Sequence, residues 1–406
     1  MGHNKTDIMI KPVETDDELR QAVELMIAEH AADAPDAALW LRTYGQRYPG
    51  FAREHTRIAV VKGEVVAALR LTTDTLVLGE ARLRMGGIGW VTTMPRYRHR
   101  GCCRMLMDDA MAYMRRHRYH LSMLFGIPDL YERFGYVTSL AEHCVLVETT
   151  EARTFDLPFR VLPAKPGAIP LFQVLHRGNS AAIPCSILRT TAHFKNRWDR
   201  WRDWYALYDD EGRIHAYFIA GVEGNALRVD DVAVAEDGFC AAVLAASGQL
   251  AHERGLGRIR FHVPPDHCLA RYLLLFRSTH EMHVDRNGGG MLAPIDKGET
   301  LESMIPEWEN LLMAHAATEL HAECTLVVQN DCYRIRVHHG AIDVAAASGS
   351  SKVSLTSEDF VHLVTGYRHL EDILAMRRSI IAPAARQLLT VLFPKRHPYM
   401  WRFDRF

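Results

Sequence analysis

The stretch from 81 to 127 constrains the fold of this chain more than any other part of its sequence. A strand-like run at 81–94 leads into a basic loop at 95–101, an amphipathic helix over about 102–118 and an apolar strand at 119–127. Strands and helices alternate in this part of the chain, and a helix between two strands is typical of α/β proteins. The sequence therefore predicts an α/β sheet.

The length and composition indicate a globular chain of several domains. The chain has 406 residues, of which 48% are hydrophobic and 24% are charged, and chains of this length divide into two to four domains. Prolines cluster at 158–170, and a glycine run at 288–290, interpreted as a loop, ends a second region. The predicted fold class is α/β (α+β), with domains at 1–150, 151–294 and 295–406.

The overall charge indicates no nucleic-acid or membrane partner. The formal net charge is −1, so nothing global attracts a polyanion or an anionic bilayer. The amino terminus lacks the apolar core of a signal peptide, and the sequence holds no run of 18 apolar residues. The sequence therefore predicts a cytoplasmic protein.

The cysteines do not predict a metal site or a disulfide framework. There are eight of them, none is part of a C-x-x-C pair, and no histidines lie near them at zinc-binding spacing. Scattered reduced thiols are typical of a cytosolic protein. We therefore expect no metal cofactor.

The basic loop after the first of the two central strands has the properties of a phosphate-binding site. Pro95 ends the strand, because proline donates no hydrogen bond to a sheet. Arg98 and Arg100 add forked donors, Gly101 allows close backbone approach, and the helix that follows offers unpaired N–H groups. The charge run alone favours a solvated basic turn. The order of strand, proline, basic loop, glycine and helix favours a pyrophosphate cradle.

Two motifs extend this interpretation to a known family. The spacing Arg98-x-x-Gly101-x-Cys103 resembles the acetyl-CoA motif of the GNAT superfamily, with Cys103 where that motif has Gly or Ala. The stretch Leu130-Tyr-Glu-Arg-Phe-Gly-Tyr136, the length and the terminal Phe406 are similar to the Eis-like (enhanced intracellular survival) branch. The resemblance implies two GNAT domains, the second degenerate, followed by a domain like sterol carrier proteins.

The resemblance also implies acetyl-CoA as the co-substrate. The second domain's corresponding loop, at 235–238, carries Glu236 and Asp237, which would repel a pyrophosphate, so we expect one acetyl-CoA per chain. The residues that the resemblance implies as contacts for acetyl-CoA are Val91, Thr92, Thr93, Arg98, His99, Arg100, Gly101, Cys102, Cys103, Arg104, Gly126 and Ile127.

Amine acetylation needs an acid for the leaving thiolate and a base for the amine. By resemblance the acid is Tyr131, whereas Tyr136 is interpreted as a packing residue. The implied base is the terminal α-carboxylate of Phe406, whose pKa in water is about 3.3–3.7 and which burial or a water relay would make more effective. The last eight residues, from Tyr399, are strongly aromatic, so we expect the tail to be buried.

The sequence predicts only the chemical class of the substrate that accepts the acetyl group. We expect a primary amine on a small molecule, aminoglycoside-like or other, although Arg405 beside the base would disfavour a polycation. A lipid- or ligand-carrying protein and a protein-lysine acetyltransferase are the alternatives. The resemblance implies a homo-oligomer, by analogy a hexamer. Residues considered for the acceptor pocket, for which a place on the surface is an equal alternative, are Glu29, His30, Asp33, Asp36, Trp40 and Glu54.

Overall fold

A computed structural model of the chain describes residues 8–32, 34, 37–152, 159–198, 203–349 and 351–406. Its strands, in chain order, are β1 (Met9–Pro12), β2 (Thr56–Val61), β3 (Glu64–Leu78), β4 (Ala81–Thr93), β5 (Leu121–Gly126), β6 (Val137–Leu140), β7 (Glu142–Glu148), β8 (Arg160–Pro163), β9 (Ser186–Ile187), β10 (Trp204–Tyr208), β11 (Ile214–Glu223), β12 (Ala226–Val234), β13 (Arg258–Phe261), β14 (Ser278–His283), β15 (Gly289–Pro294), β16 (Ala322–Val328), β17 (Asp331–His338), β18 (Ala341–Ala345) and β19 (Lys352–Leu355).

Helices connect these strands. The α-helices are α1 (Asp16–His30), α2 (Ala37–Leu39), α3 (Cys102–Arg116), α4 (Thr149–Ala152), α5 (Ile169–Ser180), α6 (Thr191–Trp198), α7 (Cys240–Glu253), α8 (Cys268–Tyr272), α9 (Lys297–Ser303), α10 (Ile305–Ala314), α11 (Ser357–Thr365), α12 (Leu370–Arg377) and α13 (Pro383–Leu392). A π-helical turn follows α2 at Trp40–Tyr44. Short 3₁₀ helices lie at Arg53–His55, Pro95–Tyr97, Glu132–Phe134, Pro166–Ala168, Asp237–Phe239, Leu273–Leu275 and Arg402–Asp404.

Local sequence signals account for the first elements. Thr15 caps α1, its hydroxyl accepting from the Glu18 N–H while the Glu18 carboxylate accepts from the Thr15 N–H. Lys62 and Gly63 have φ values of 51° and 82° and join β2 to β3. Such a two-residue turn matches the twist of antiparallel strands, and β2 and β3 form a hairpin around it.

The first sheet has the order β1-β2-β3-β4-β5-β15-β6, with β9 paired to β3 outside this path. Only β4 and β5 are parallel in it, and α3 is the crossover between them. The segment from 81 to 127 therefore forms the predicted strand–helix–strand unit. The mixed α/β fold class is confirmed.

The second sheet has the order β14-β7-β13-β12-β11-β10-β8. It exchanges strands with the first sheet: β7 leaves the first segment to pair with β13 and β14, and β15 returns from the second segment to lie between β5 and β6. The interpretation of the glycine run as a loop is wrong, because Gly289 and Gly290 begin β15. Gly290 is required there, since a Cβ atom would lie 2.8 Å from the Leu140 side chain.

The third sheet, β18-β17-β16-β19, packs with its helices against the first sheet. Leu83 and Met123 of the first sheet belong to the same apolar core as Leu326 of the third sheet and Leu388 of α13. The division into domains at 150 and 294 stays a prediction, and the sheets share strands and a core across it.

In the part of the chain that the structure describes, no helix has both the length and the apolar character that crossing a bilayer requires.

Candidate functional site

The gap between β4 and β5 is the main opening in the first sheet. The two strands pair only from Met85 to Gly87 against Leu121 to Met123. Beyond that point β4 continues with β3 as far as Thr93, whereas β5 continues with β15 as far as Gly126. The carboxyl ends of the two parallel strands therefore diverge. Ligands of α/β sheets bind at such crevices.

A β-bulge interrupts β4 along the edge of this gap. Gly89 pairs with Arg70 and Thr92 pairs with Ala68, so Trp90 and Val91 share Leu69 as their only opposite residue. Trp90 has a φ of 56°. A bulge leaves backbone groups outside the ladder and redirects them, so Val91 lies where an unpaired backbone group can face the cleft. Thr92 and Thr93, which follow it, are paired with β3.

The predicted phosphate-binding loop connects β4 to α3. Gly101 precedes the helix with a φ of 85°, and no side chain caps the helix at this residue. A Cβ atom at Gly101 would meet nothing within 4 Å, so this glycine is required by the backbone conformation and faces open space. The first N–H groups of α3 are therefore accessible to an anion.

The arginines of this loop have different partners. Arg98 donates to a Glu29 carboxylate oxygen at 2.5 Å and to the Thr93 carbonyl at 3.3 Å, so its charge is already balanced. Arg100 lies over the Tyr97 ring at 5.2 Å. Among the described residues neither Arg100 nor Arg104 forms an ion pair, and both are exposed, as is His99. Of the predicted cradle, Arg100 and Arg104 are the cations free to bind phosphate.

The two cysteines at the start of α3 are placed differently. Cys102 is buried in the core beneath the helix, with its Sγ 3.8 Å from the Tyr97 carbonyl, so only its backbone is available. Cys103 is half-buried, and burial raises the pKa of its thiol. At the opposite edge of the gap, Gly126 ends β5 and Ile127 is 65% exposed.

Tyr131 packs directly against the end of β5. A Cβ atom at Gly126 would lie 2.6 Å from the Tyr131 ring, so this contact requires glycine. Burial raises the pKa of Tyr131 to about 12, so the hydroxyl keeps its proton at neutral pH. No hydrogen bond to this hydroxyl comes from the described residues, whereas the Tyr136 hydroxyl lies 2.6 Å from the Ser122 hydroxyl inside the core.

Phe406 occupies the gap itself. A Cβ atom at Gly87 would lie 2.3 Å from the Phe406 ring, and one at Gly89 would lie 3.3 Å from the backbone oxygen of Phe406. The Phe125 ring of β5 lies 6.3 Å from the Phe406 ring, centroid to centroid. The last residue of the chain therefore lies against both diverging strands.

The tail that carries Phe406 is buried and held by ion pairs. Tyr399, Met400, Trp401 and Phe403 are at most 1% exposed, which confirms the predicted burial of the tail. Arg405 donates to Glu142 at 2.5 Å and lies over the Phe125 ring at 4.6 Å. The positive charge that the sequence placed beside the proposed base is thus balanced by Glu142.

Two buried arginines hold Asp404, the residue before Arg405. Arg189 donates to Asp404 and also to Asp231, the latter at 2.5 Å, and Arg197 donates to the Asp404 backbone carbonyl at 3.0 Å. Arg197 also contacts the Tyr48 hydroxyl at 3.4 Å, which in turn donates to Asp74 of β3. This network joins the tail to both large sheets. Sequence reasoning missed these arginines, because nothing in the segment between β9 and α6 or in α6 itself distinguishes them from surface residues.

Only some of the residues considered for the acceptor pocket lie near one another. Trp40 stacks on the bulge residue Trp90 at 5.3 Å, and His30 meets the same ring edge-on at 5.4 Å. Glu29 is paired with Arg98, and Glu54 accepts from the Tyr113 hydroxyl on the other side of the sheet. Asp33 and Asp36 lie outside the described residues.

The corresponding loop of the second sheet has the opposite charge. Glu236 and Asp237, together with Asp266, line a cavity of about 540 Å³ between α5, the end of β12 and α8. Asp237 forms an ion pair with Arg271 at 3.1 Å. One acetyl-CoA per chain stays a prediction, for which this acidic lining is the physical reason.

Residues 10–138 match the family model described as an acetyltransferase (GNAT) domain. The chain contains a GNAT acetyltransferase domain. It is therefore an enzyme of the N-acetyltransferase class, and the diverging strands, the bulge and the α3 loop all belong to the matched GNAT domain. No curated protein matches the sequence.

Solved structures with the same fold extend over the whole chain. A GCN5-related N-acetyltransferase from Kribbella flavida is 18% identical with a TM-score of 0.73, and each chain is covered completely. One from Anabaena variabilis is 16% identical with a TM-score of 0.74, covering 98% of this chain and all of the other. Eis1 from Mycobacterium abscessus is 15% identical with a TM-score of 0.66 and the same coverage. At these identities the likeness concerns the fold alone.

Proposed function

We propose that this enzyme transfers the acetyl group of acetyl-CoA to a primary amine, with Tyr131 as the general acid and the terminal carboxylate of Phe406 as the general base. The observation that carries the proposal is the position of Phe406 in the gap between β4 and β5, against Gly87 and Gly89. Tyr131 lies at the end of β5, on the other side of the same gap.

The residues along the gap fit acetyl-CoA, which supplies the thioester-bound acetyl group. The uncapped start of α3 and the free cations Arg100 and Arg104 would bind the pyrophosphate, with Gly101, His99 and the backbone of Cys102 beside them. The remainder of acetyl-CoA would lie between Val91 at the bulge and the end of β5 at Gly126 and Ile127. Arg98 would act indirectly, because Glu29 already neutralises it.

Tyr131 is suited to hold a proton until the sulfur needs it. Its pKa of about 12 means that the hydroxyl is protonated throughout the physiological range. A hydroxyl held beside the sulfur can donate this proton as the C–S bond breaks, so that CoA leaves as the thiol, and the tyrosinate then regains a proton from solvent. The tight contact with Gly126 fixes the ring, and a fixed donor loses little entropy when it acts.

The Phe406 carboxylate is suited to take the proton from an incoming ammonium group. A free chain end would be too mobile for this role, but Asp404 and Arg405 are both held by ion pairs and the tail is buried. A carboxylate beside the acceptor also attracts the cationic amine into the gap.

We further propose the finer features that the family resemblance implied. These are an Eis-like enzyme with a degenerate second GNAT domain and a sterol-carrier-like domain from 295, a cytoplasmic location, a homo-oligomer that is a hexamer by analogy, and an aminoglycoside-like or other small amine as acceptor. Their support is the full-length likeness of fold, which includes Eis1, and the acidic loop of the second domain.

Three variants test the proposed pair of residues. Tyr131→Phe removes the acid, and one glycine added after Phe406 converts the base into an amide while keeping the ring. Tyr136→Phe is the matched control, because its hydroxyl is bonded within the core to Ser122. We expect the first two to lower acetyl transfer at least ~100-fold with CoA affinity unchanged, and the control to retain turnover.

The assay is release of free CoA over a panel of small amines, aminoglycosides, polyamines and lysine peptides. Wild-type turnover in both Tyr131→Phe and the extended chain would disprove the assignment of the two residues. Turnover only on lysine peptides would identify a protein acetyltransferase in place of a small-molecule enzyme.

A further inference from the structure

Three exposed histidines converge at one end of the third sheet, whereas the proposed acetyl-transfer site lies in the first sheet. His321 immediately precedes β16, whose first residue, Ala322, pairs with Val337 of β17. His321 and His338 are therefore the next two opposing residues of the two strands. Their ring centroids are 4.6 Å apart, and those of His339 lie 4.5 Å from His321 and 4.3 Å from His338.

The backbone of His339 explains the convergence. Neighbouring residues of a regular strand point to opposite faces, so His338 and His339 would not normally meet a common partner. His339 has a φ of 49° and Gly340 one of 75°, and together they form the tight turn between His338 and Ala341. The left-handed conformation at His339 departs from the strand geometry and lets its ring join the other two.

The arrangement has the properties of a metal-ligand set. One ring nitrogen from each histidine lies within 4.8 Å of the other two, and all three residues are exposed. In the described part of the chain none of the three imidazoles is paired with a carboxylate. Imidazole binds metal ions through a ring nitrogen that carries no proton, and each of these exposed rings can offer one.

We propose that His321, His338 and His339 form a surface site for a divalent transition-metal ion of the zinc class. Imidazole nitrogens are the ligands that zinc, nickel and copper prefer, and three of them leave a fourth position for water or an outside ligand. Exposed side chains can rotate to the shorter nitrogen–nitrogen separation that a bound ion needs. The ion would cross-link the start of β16 to the β17–β18 turn.

The test uses the full chain purified without a histidine tag. Zn²⁺ is titrated by calorimetry, and Co²⁺ by its visible absorption, which reports the coordination geometry. We expect one ion per chain, and a loss of affinity of at least ~10–100-fold in His338→Gln and in His321→Gln. His280→Gln is the control, because His280 is an exposed histidine of β14 that contacts Ser278 instead of this cluster.

Each result decides the proposal. Loss of the ion in both variants and its retention in the control supports it, as does a Zn²⁺-dependent rise in melting temperature that only the wild type and the control show. Equal binding by the wild type and both variants would assign the ion to another group, such as the cysteines, and would overturn the proposal. So would failure of the wild type to bind Zn²⁺.

Discussion

The Nε atom of Arg189 donates to both carboxylate oxygens of Asp404, at 2.8 and 3.1 Å, although 215 residues separate them. Both side chains are buried, and Asp404 is two residues before the end of the chain. A side chain from the middle of the sequence therefore holds the tail two residues before Phe406. The proposed base depends on an ion pair that is remote from it in sequence.

A weaker ion pair between Arg189 and Asp404 should lower the rate of acetyl transfer and leave the affinity for CoA unchanged. Asp404→Asn removes the charge while keeping the shape, so the tail should remain folded but less firmly placed. We expect acetyl transfer to fall about 10–100-fold, since small displacements of a reacting group cost this much, with CoA affinity unchanged. Steady-state kinetics and calorimetry measure the two quantities.

The stronger substitution Arg189→Met should destabilise the whole chain, because it leaves Asp404 and Asp231 buried without their shared cation. Removing one partner of a buried ion pair costs about 3–5 kcal/mol. Chemical denaturation measures this loss. Normal turnover in Asp404→Asn would show that the tail is positioned without the ion pair.

A methyl group at Gly87 should displace Phe406. The added Cβ atom would lie 2.3 Å from the Phe406 ring, far inside van der Waals contact. We expect Gly87→Ala to lower acetyl transfer strongly while the melting temperature changes little, because only the half-buried last residue has to move. Gly178→Ala in α5 is the control, since a Cβ atom there meets nothing within 4 Å. Equal turnover in the two variants would contradict the proposed position of Phe406.

The arginines of the α3 loop should contribute unequally to CoA affinity. Arg100 and Arg104 have no acidic partner among the described residues, whereas Arg98 is paired with Glu29. Arg100→Ala and Arg104→Ala should each weaken CoA binding by about tenfold, as charge-assisted hydrogen bonds to phosphate contribute about 1.5–3 kcal/mol. Arg98→Ala should have a smaller effect. Calorimetry at two salt concentrations measures this, with Arg116→Ala at the other end of α3 as the control. An equal loss in all four variants would point to net charge alone.

Acid should destabilise the protein through His143. Burial, followed by the charge of His397, lowers the pKa of His143 to about 4 from its ordinary value of 6.5. The folded state keeps this imidazole neutral while the unfolded chain protonates it. His143 therefore costs nothing above pH ~6.5, and its cost grows as the pH falls from 6.5 towards 4.

At pH 4 this cost reaches about 3 kcal/mol, from 1.36 kcal/mol per pKa unit. His143→Phe removes the titrating group from its position beside Tyr399. Between pH 7 and pH 4.5, the melting temperature of the variant should fall less than that of the wild type. Parallel pH profiles would show that other groups, such as the buried His262, cause the loss.

The sequence alone determined the parts of the site that are continuous along the chain. The strand, basic loop, glycine and helix from 81 to 116 were predicted almost to the residue, because periodicity and the positive φ that favours Gly101 are local properties. Burial of the terminal aromatic tail also followed from composition, since an exposed tail of this kind would leave a large apolar area in water.

Only the tertiary structure decided which distant residues are in contact. Gly87 and Gly89 accommodate Phe406, Arg189 pairs with Asp404, and Glu142 neutralises Arg405 through contacts between segments far apart in the chain. The strand exchange between the first two sheets and the meeting of His321 with His338 depend in the same way on sheet register. Which distant strands pair and which distant charges meet is set by the packing of the whole chain, and the local pattern of either segment does not name its partner.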